Sequence, residues 1–403
     1  MQTVDGGVLA PKGFLANTAS CGINSPKGSR KDLVLIDAGC PASAAGVFTT
    51  NRVQAAPVIL SRDHLQTGMA RAVVANSGNA NACNGEAGMA DAREMAGLVA
   101  GGLSVPASEI LVASTGVIGR PLPMDVIRDG IREALDRQRL GPDRDAADSI
   151  MTTDTVPKSC AVRCDLDGSA AVIGGIAKGA GMICPNMATM IGLITTDAAI
   201  APGALQSALR RAAGKSFNCI TVDGDMSTND TVFILANGAA ENPVITRPDG
   251  DAYERFADAL EHVCTDLAKK IARDGEGATK LVEIRVQGAR TDEDARTIGM
   301  SVANSALVKT AIYGHDPNWG RILCAVGYAD AETDPDAIDL FLCGHQLTQD
   351  GRGLPLDEPA MREALSAGEI PVEIDLKLGD GAATVWTCDM SHEYVTVNAE
   401  YTT

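Results

Sequence analysis

Lys178-Gly179-Ala180-Gly181-Met182-Ile183-Cys184-Pro185-Asn186-Met187-Ala188-Thr189-Met190 runs directly into Ile191-Gly192-Leu193-Ile194-Thr195-Thr196-Asp197. The glycines and Pro185 prevent a continuous helix, and the apolar run after Thr189 has strand character. A tight, irregular backbone therefore leads into a buried strand for which Thr189 is a candidate first residue. That geometry suits a nucleophile held rigidly at a strand start. It also suits an ordinary glycine-rich turn, and the pattern alone leaves both readings open.

Outward from this segment the periodicity alternates between strand and helix. Ala70–Asn76 is a Val-rich strand, Glu86–Leu103 a helix, and Ile110–Ala113 a strand closed by Ser114-Thr115-Gly116. Pro121–Arg139 follows as an amphipathic helix with Val126, Ile127, Ile131 and Leu135 on one face. Beyond Thr189, Pro202–Lys215 and Tyr253–Arg273 read as helices around a buried strand at Thr231–Ala236. After Gly327 the chain reads as strands at Ile338–Leu342, Val372–Leu376, Ala383–Thr387 and Tyr394–Ala399, with Asp380-Gly381 as a hairpin-type signal. Strands and helices in this order predict a layered α/β architecture.

Composition limits the functions open to such a chain. With 403 residues it can bury a large core, and aromatics at 3% leave that core to Ala, Val, Leu, Ile and Gly. A net charge of −18 argues against nucleic acid and anionic membranes as partners, since both demand basic patches. The start shows no signal peptide and no apolar run approaches a membrane span, so a cytoplasmic location is expected. Eleven cysteines without a Cys-x-x-Cys pair read as reduced, buried thiols, and five scattered histidines lack ligand spacing, so no metal is expected. A Gly-x-Ser-x-Gly elbow is also absent.

Ordered short motifs extend over nearly the whole chain. They include Ala10-Pro11-Lys12-Gly13-Phe14, Ala45-Gly46-Val47-Phe48-Thr49-Thr50-Asn51 and Asn76-Ser77-Gly78-Asn79-Ala80-Asn81-Ala82-Cys83. Met151-Thr152-Thr153-Asp154-Thr155, Ser227-Thr228-Asn229-Asp230 and Gly314-His315-Asp316-Pro317-Asn318-Trp319-Gly320-Arg321 follow. With the segment around Thr189, these resemble the ornithine acetyltransferase family, the bifunctional glutamate N-acetyltransferases of arginine biosynthesis. Ala180, where many members have Ser, and Met226, where a smaller residue is common, depart from the family pattern without removing a reactive group.

The resemblance implies a helix–sheet–sheet–helix sandwich of the self-processing, N-terminal-nucleophile type. It implies cleavage between Ala188 and Thr189 into an α chain, 1–188, and a β chain, 189–403, that stay intertwined as an α2β2 heterotetramer. Thr189 would then be the nucleophile. Its new α-amine, with an unperturbed pKa of about 7.7–8.0, would serve as base in place of a histidine. Thr115 and Gly116 would form the oxyanion hole through a hydroxyl and a backbone N–H. Thr152, Lys178, Thr189, Glu276, Asn398 and Thr403 would hold the amino-acid substrate, Lys178 against a carboxylate and Glu276 against an ammonium group.

Acetyl would pass from N2-acetyl-L-ornithine through Thr189 to L-glutamate. No permanently bound cofactor is implied. Some members also use acetyl-CoA as a donor, and no phosphate- or adenine-binding signature here decides that point. An amidohydrolase or aminopeptidase of the same fold, with water resolving the acyl-enzyme, is the alternative.

Overall fold

The computed structural model describes residues 1–136, 141–184 and 190–400. One sheet contains β1 (Gln2–Val4), β2 (Leu15–Ala19), β3 (Leu33–Phe48), β4 (Met69–Asn79), β5 (Ile110–Val117), β6 (Lys158–Leu166), β7 (Ser169–Lys178), β8 (Ile191–Thr196) and β9 (Thr231–Ala236). A second contains β10 (Leu281–Ala289), β11 (Asp339–Leu342), β12 (His345–Gln349), β13 (Arg352–Gly353), β14 (Glu369–Asp375) and β15 (Gly381–Cys388). The helices are α1 (Ala56–His64), α2 (Gly85–Leu103), α3 (Met124–Ala134), α4 (Asp143–Ile150), α5 (Pro202–Lys215), α6 (Asp251–Arg273), α7 (Asp292–Asn304), α8 (Ala306–Tyr313), α9 (Trp319–Gly327), α10 (Glu358–Ala364) and α11 (His392–Glu400).

The first sheet runs β1-β6-β7-β8-β9-β3-β4-β5, with β2 also paired to β3. The long β3 makes it two layers. Its first half pairs with β2 and β4, its register against β4 shifts between Asp37 and Ala42, and its second half pairs with β9. Such a shift bends a strand.

Period-2 alternation then fills three spaces. Val34, Ile36, Val73, Ala75, Leu111 and Ala113 share one buried cluster with Ile176, Ile191, Leu193, Phe233 and Leu235, which lie on the other layer. The intervening Leu33, Leu35, Ala72, Val74, Ile110 and Val112 pack with Met95 and Val99 of α2 and Ile127 and Ile131 of α3. Ile173, Ile194, Val232 and Ile234 join Leu205 and Leu209 of α5 and Phe256, Leu260, Val263, Leu267 and Ile271 of α6. The layered α/β sandwich is therefore helix, sheet, sheet, helix. Helix α6 lies on β6 and β7 and also touches β10 and β15, which ties the second sheet to the first.

Several sequence expectations need correction. Tyr394–Ala399 lies within α11 instead of forming a strand, despite its β-branched residues. The Thr396 hydroxyl and Asn398 amide donate to carbonyls four residues back, the reach of one helical turn. Asp380-Gly381 joins β14 and β15, but these are not a hairpin, because β10 lies between them. Gly381 serves backbone packing, since a Cβ there would lie 2.3 Å from the Thr291 carbonyl carbon. The strand ending at Ala113 continues to Val117, and the helix from Pro121 begins at Met124. Cys40, Cys83 and Cys324 are exposed, so burial does not hold for every thiol. Among the described residues, no helix is long and apolar enough to cross a membrane.

Candidate functional site

Strand β5 carries Thr115 and Gly116 beside the parallel β4, where Ser77 pairs with Thr115 and Gly78 with Gly116. Gly116 has φ +130°, and a Cβ there would lie 2.4 Å from the Gly78 carbonyl carbon and 2.6 Å from Asn79 N. Only glycine fits two backbones this close. The Asn229 amide donates to the carbonyls of Ala80, at 2.6 Å, and Ser114, at 2.8 Å, so the approach to Thr115 is held from a third segment.

Lys178 ends β7 in the buried space behind this point. It is 2% exposed, and its Nζ donates to Thr115 Oγ1 at 3.4 Å. Burial pushes the Lys178 ammonium below the ordinary lysine range, while Asp154 opposes that shift. Asp154 is itself surrounded by donors: Thr152 N at 3.1 Å, Gly179 N at 2.7 Å and Lys158 Nζ at 2.6 Å. Burial alone would raise the Asp154 carboxyl, but Lys178, Lys158 and the Gly179 N–H together hold it below the usual carboxylate range. Lys158 reaches on to Asp274 Oδ2, also at 2.6 Å.

Within residues 179–183, just after Lys178, several backbone groups are pinned by hydrogen bonds. The Ala180 carbonyl accepts Glu276 N at 2.8 Å, and the Asp223 carboxylate accepts Met182 N at 2.6 Å and Ile183 N at 2.9 Å. Gly181 lies against the Glu276 carboxylate, where a Cβ would come within 2.3 Å of Oε2. Asn398 Nδ2 donates to the same Oε2 at 2.8 Å. At the far side, Met190 N donates to Asp230 Oδ1 at 2.9 Å and its carbonyl accepts Thr231 N at 3.1 Å. Strand β8 starts at Ile191 and is buried throughout, as its apolar run predicts.

All six expected residues that are described fall in one connected array. Thr115 meets Lys178 directly, Gly116 follows Thr115, and Asp154 links Lys178 to Thr152 through Gly179. Ala180 continues the array to Glu276 and Asn398. Ala188, Thr189 and Thr403 lie outside the described residues. A cavity of about 560 Å³ lined by Thr153, Lys158, Asp274, Glu276, Glu393 and Val397 opens beside the array. Two larger cavities, of about 690 and 910 Å³, contain none of these residues.

Chemically, the array offers a hydroxyl backed by an ammonium group, a buried cation for a carboxylate, and a carboxylate–amide pair for an ammonium ion. Sequence reasoning gave no role to Asp154, Lys158, Asp274, Asn229 or Asp230. A lysine closing the apolar run Ala170–Ala177 was the available signal, since a buried ammonium requires buried carboxylates nearby.

The ArgJ family model matches residues 15–403. The arginine biosynthesis bifunctional protein ArgJ of Symbiobacterium thermophilum is 52% identical over 405 residues, covering 100% of both chains. A crystal structure of arginine biosynthesis bifunctional protein argJ from Bacillus halodurans is 43% identical with a TM-score of 0.50, covering 51% of this chain and 97% of that one. Ornithine acetyltransferase from Mycobacterium tuberculosis, complexed with ornithine, is 43% identical with a TM-score of 0.41, covering 45% of this chain and 95% of that one. The family match spans the array from Thr115 to Asn398 and nearly everything around it: this chain belongs to the ArgJ family.

Proposed function

We propose that this chain is an acetyltransferase of arginine biosynthesis that moves acetyl from N2-acetyl-L-ornithine to L-glutamate by a ping-pong route through Thr189. The observation that carries the reading is the convergence of Thr115, Gly116, Lys178, Glu276 and Asn398 on the loop and strand that flank Thr189.

Activation comes first. The Thr189 hydroxyl attacks the Ala188 carbonyl, the C–N bond breaks, and the nitrogen takes up the proton. Water then opens the resulting ester and leaves Thr189 with a free α-amine. The solved relative from Bacillus halodurans supports cleavage, because 97% of its chain matches only 51% of this one, as a separated fragment would. The fragments 1–188 and 189–403 stay intertwined through the sandwich, because β7 and β8, on opposite sides of the break, pair along their length. The assembly is an α2β2 heterotetramer in the cytoplasm.

In turnover the α-amine takes the hydroxyl proton as Thr189 Oγ attacks the acetyl carbon of N-acetylornithine. The Thr115 hydroxyl and Gly116 N–H receive the oxyanion, ornithine departs with the proton, and acetyl-Thr189 remains. The amine of glutamate then attacks this ester, and Thr189 Oγ recovers its proton as N-acetylglutamate leaves. Lys178 holds the substrate carboxylate and Glu276 an ammonium group, with Thr152, Asn398 and Thr403 completing the pocket. An assay of acetyl-CoA with glutamate decides whether free Thr189 is also acetylated by acetyl-CoA, with release of the CoA thiol.

A denaturing gel with N-terminal sequencing tests the core of this reading. Two fragments are expected, the second beginning Thr-Met-Ile-Gly, and Thr189→Ala should give one inactive chain. An uncleaved yet active chain overturns the mechanism, and ornithine release that proceeds at full rate without glutamate overturns transfer in favour of hydrolysis.

A further inference from the structure

The two residues immediately before β9, Asn229 and Asp230, touch the two halves of the proposed site from one backbone. Asn229 Nδ2 donates to the Ser114 carbonyl, one residue before Thr115. Asp230 Oδ1 accepts the Met190 N–H, one residue after Thr189. The Met190 nitrogen is bonded to the Thr189 carbonyl carbon, so anchoring it limits where Thr189 can lie.

The anchor is itself fixed. Thr49 N donates to the Asp230 carbonyl at 2.9 Å, Ala55 N donates to the Thr228 carbonyl at 3.0 Å, and Thr49 Oγ1 donates to the Ser227 carbonyl at 2.8 Å. Asp230 is fully buried, and its Oδ2 has no hydrogen-bond partner among the described residues. Burial pushes this carboxyl well above its usual range, against the pull of the Met190 N–H and Lys178. Its Oδ1 accepts the Met190 N–H, a role that an amide oxygen also fills.

We propose that Asn229 and Asp230 are positioning residues that set the distance between the Thr189 nucleophile and the Thr115–Gly116 oxyanion site, Asp230 through Met190 and Asn229 through Ser114. This inference rests on the reading of Thr189 as nucleophile. Both self-cleavage and acetyl transfer need an attacking oxygen and an oxyanion site in register, whereas Glu276 is held by Ala180 and Asn398, apart from Asn229 and Asp230.

The test compares Asp230→Ala, Asp230→Asn and Asn229→Ser, each purified as the full chain and scored for cleavage and for kcat and KM per cleaved molecule. Asp230→Ala is expected to cleave slowly and to lose about 100-fold in kcat, the order expected of an ångström-scale displacement, with KM for N-acetylornithine nearly unchanged. Asp230→Asn keeps an oxygen for Met190 N–H and is expected to restore cleavage and bring kcat to within about threefold of the parent. Should the Ala chain not fold, Asn229→Ser reads the same spacing from the Thr115 side, by a fall in kcat at constant KM.

An Ala variant that matches the parent overturns the role. So does an Asn variant as impaired as Ala, since the carboxyl proton rather than the Met190 anchor would then matter. So does a Ser variant that raises KM alone. A parent chain that itself stays uncleaved defeats the nucleophile reading, a result separable from all of these.

Discussion

The Lys178 ammonium lies 3.4 Å from the Thr115 hydroxyl oxygen, in a space closed to solvent on both sides. Since an ammonium only donates, the Thr115 oxygen accepts from Lys178 and its own proton is directed elsewhere. A hydroxyl so polarised is a ready donor to an oxyanion.

Thr115→Val keeps the shape of the side chain and removes that donor. The expected outcome is a fall in kcat of about 10²- to 10³-fold with a much smaller change in KM, as for loss of one oxyanion donor. Steady-state assays of ornithine release from N-acetylornithine check it. A change confined to KM would remove Thr115 from the transition state.

Gly181→Ala addresses the ammonium side of the pocket. The new methyl would meet the Glu276 carboxylate at 2.3 to 2.5 Å, displacing it from the Asn398 amide. Because Glu276 is the far end of a flexible side chain, the fold should survive, with little change in melting temperature. KM for N-acetylornithine is expected to rise about tenfold, the loss of roughly one charge-assisted hydrogen bond, while self-cleavage proceeds as in the parent. Unchanged KM would count against Glu276 as a substrate contact.

How far the site was legible from sequence follows from what each residue's placement depends on. Thr231–Ala236 was readable as an unbroken apolar run that is buried throughout, and the helix ending at Arg273 because its burial repeats with the helical period. The path of β3 was not, since its 16 residues serve two layers and its middle turns outward at Gly39, Cys40 and Pro41. Thr115 and Lys178 stood out through motifs, but their contact depends on β5 and β7 meeting across the sandwich, a pairing 63 residues apart in the chain. Asp154, Lys158 and Asp274 carry no motif spacing of their own. Their meaning appears only when folding removes water from around them.

Lys158 bridges Asp154 and Asp274 at 2.6 Å each, with its side chain 1% exposed. Lys158→Met would leave two carboxylates in that space, with Lys178 the remaining partner of Asp154. Breaking a buried ion pair from one side costs about 3–5 kcal/mol. Denaturant unfolding of the purified variant should show a loss of this order, and since Asp154 also holds Thr152 N and Gly179 N, kcat/KM should fall with it. A variant as stable as the parent would mean that the bridge contributes little to the fold.

The Asp230 carboxyl gives a prediction in pH. Its folded pKa is raised well above the ordinary 3.8 by burial, opposed by the Met190 N–H and by Lys178. Above pH 3.8 the unfolded chain therefore releases a proton that the folded chain retains, and stability falls as pH rises through the window from 3.8 toward the raised value. Asp230→Asn binds no such proton and escapes that loss. Melting temperatures of parent and variant are expected to be close near pH 4, and the variant is expected to gain on the parent as the pH is raised to 8. A difference that stays constant with pH, or that shrinks as pH rises, would mean that Asp230 is ionised in the folded chain, and with it would go the argument that an amide can replace it beneath Met190.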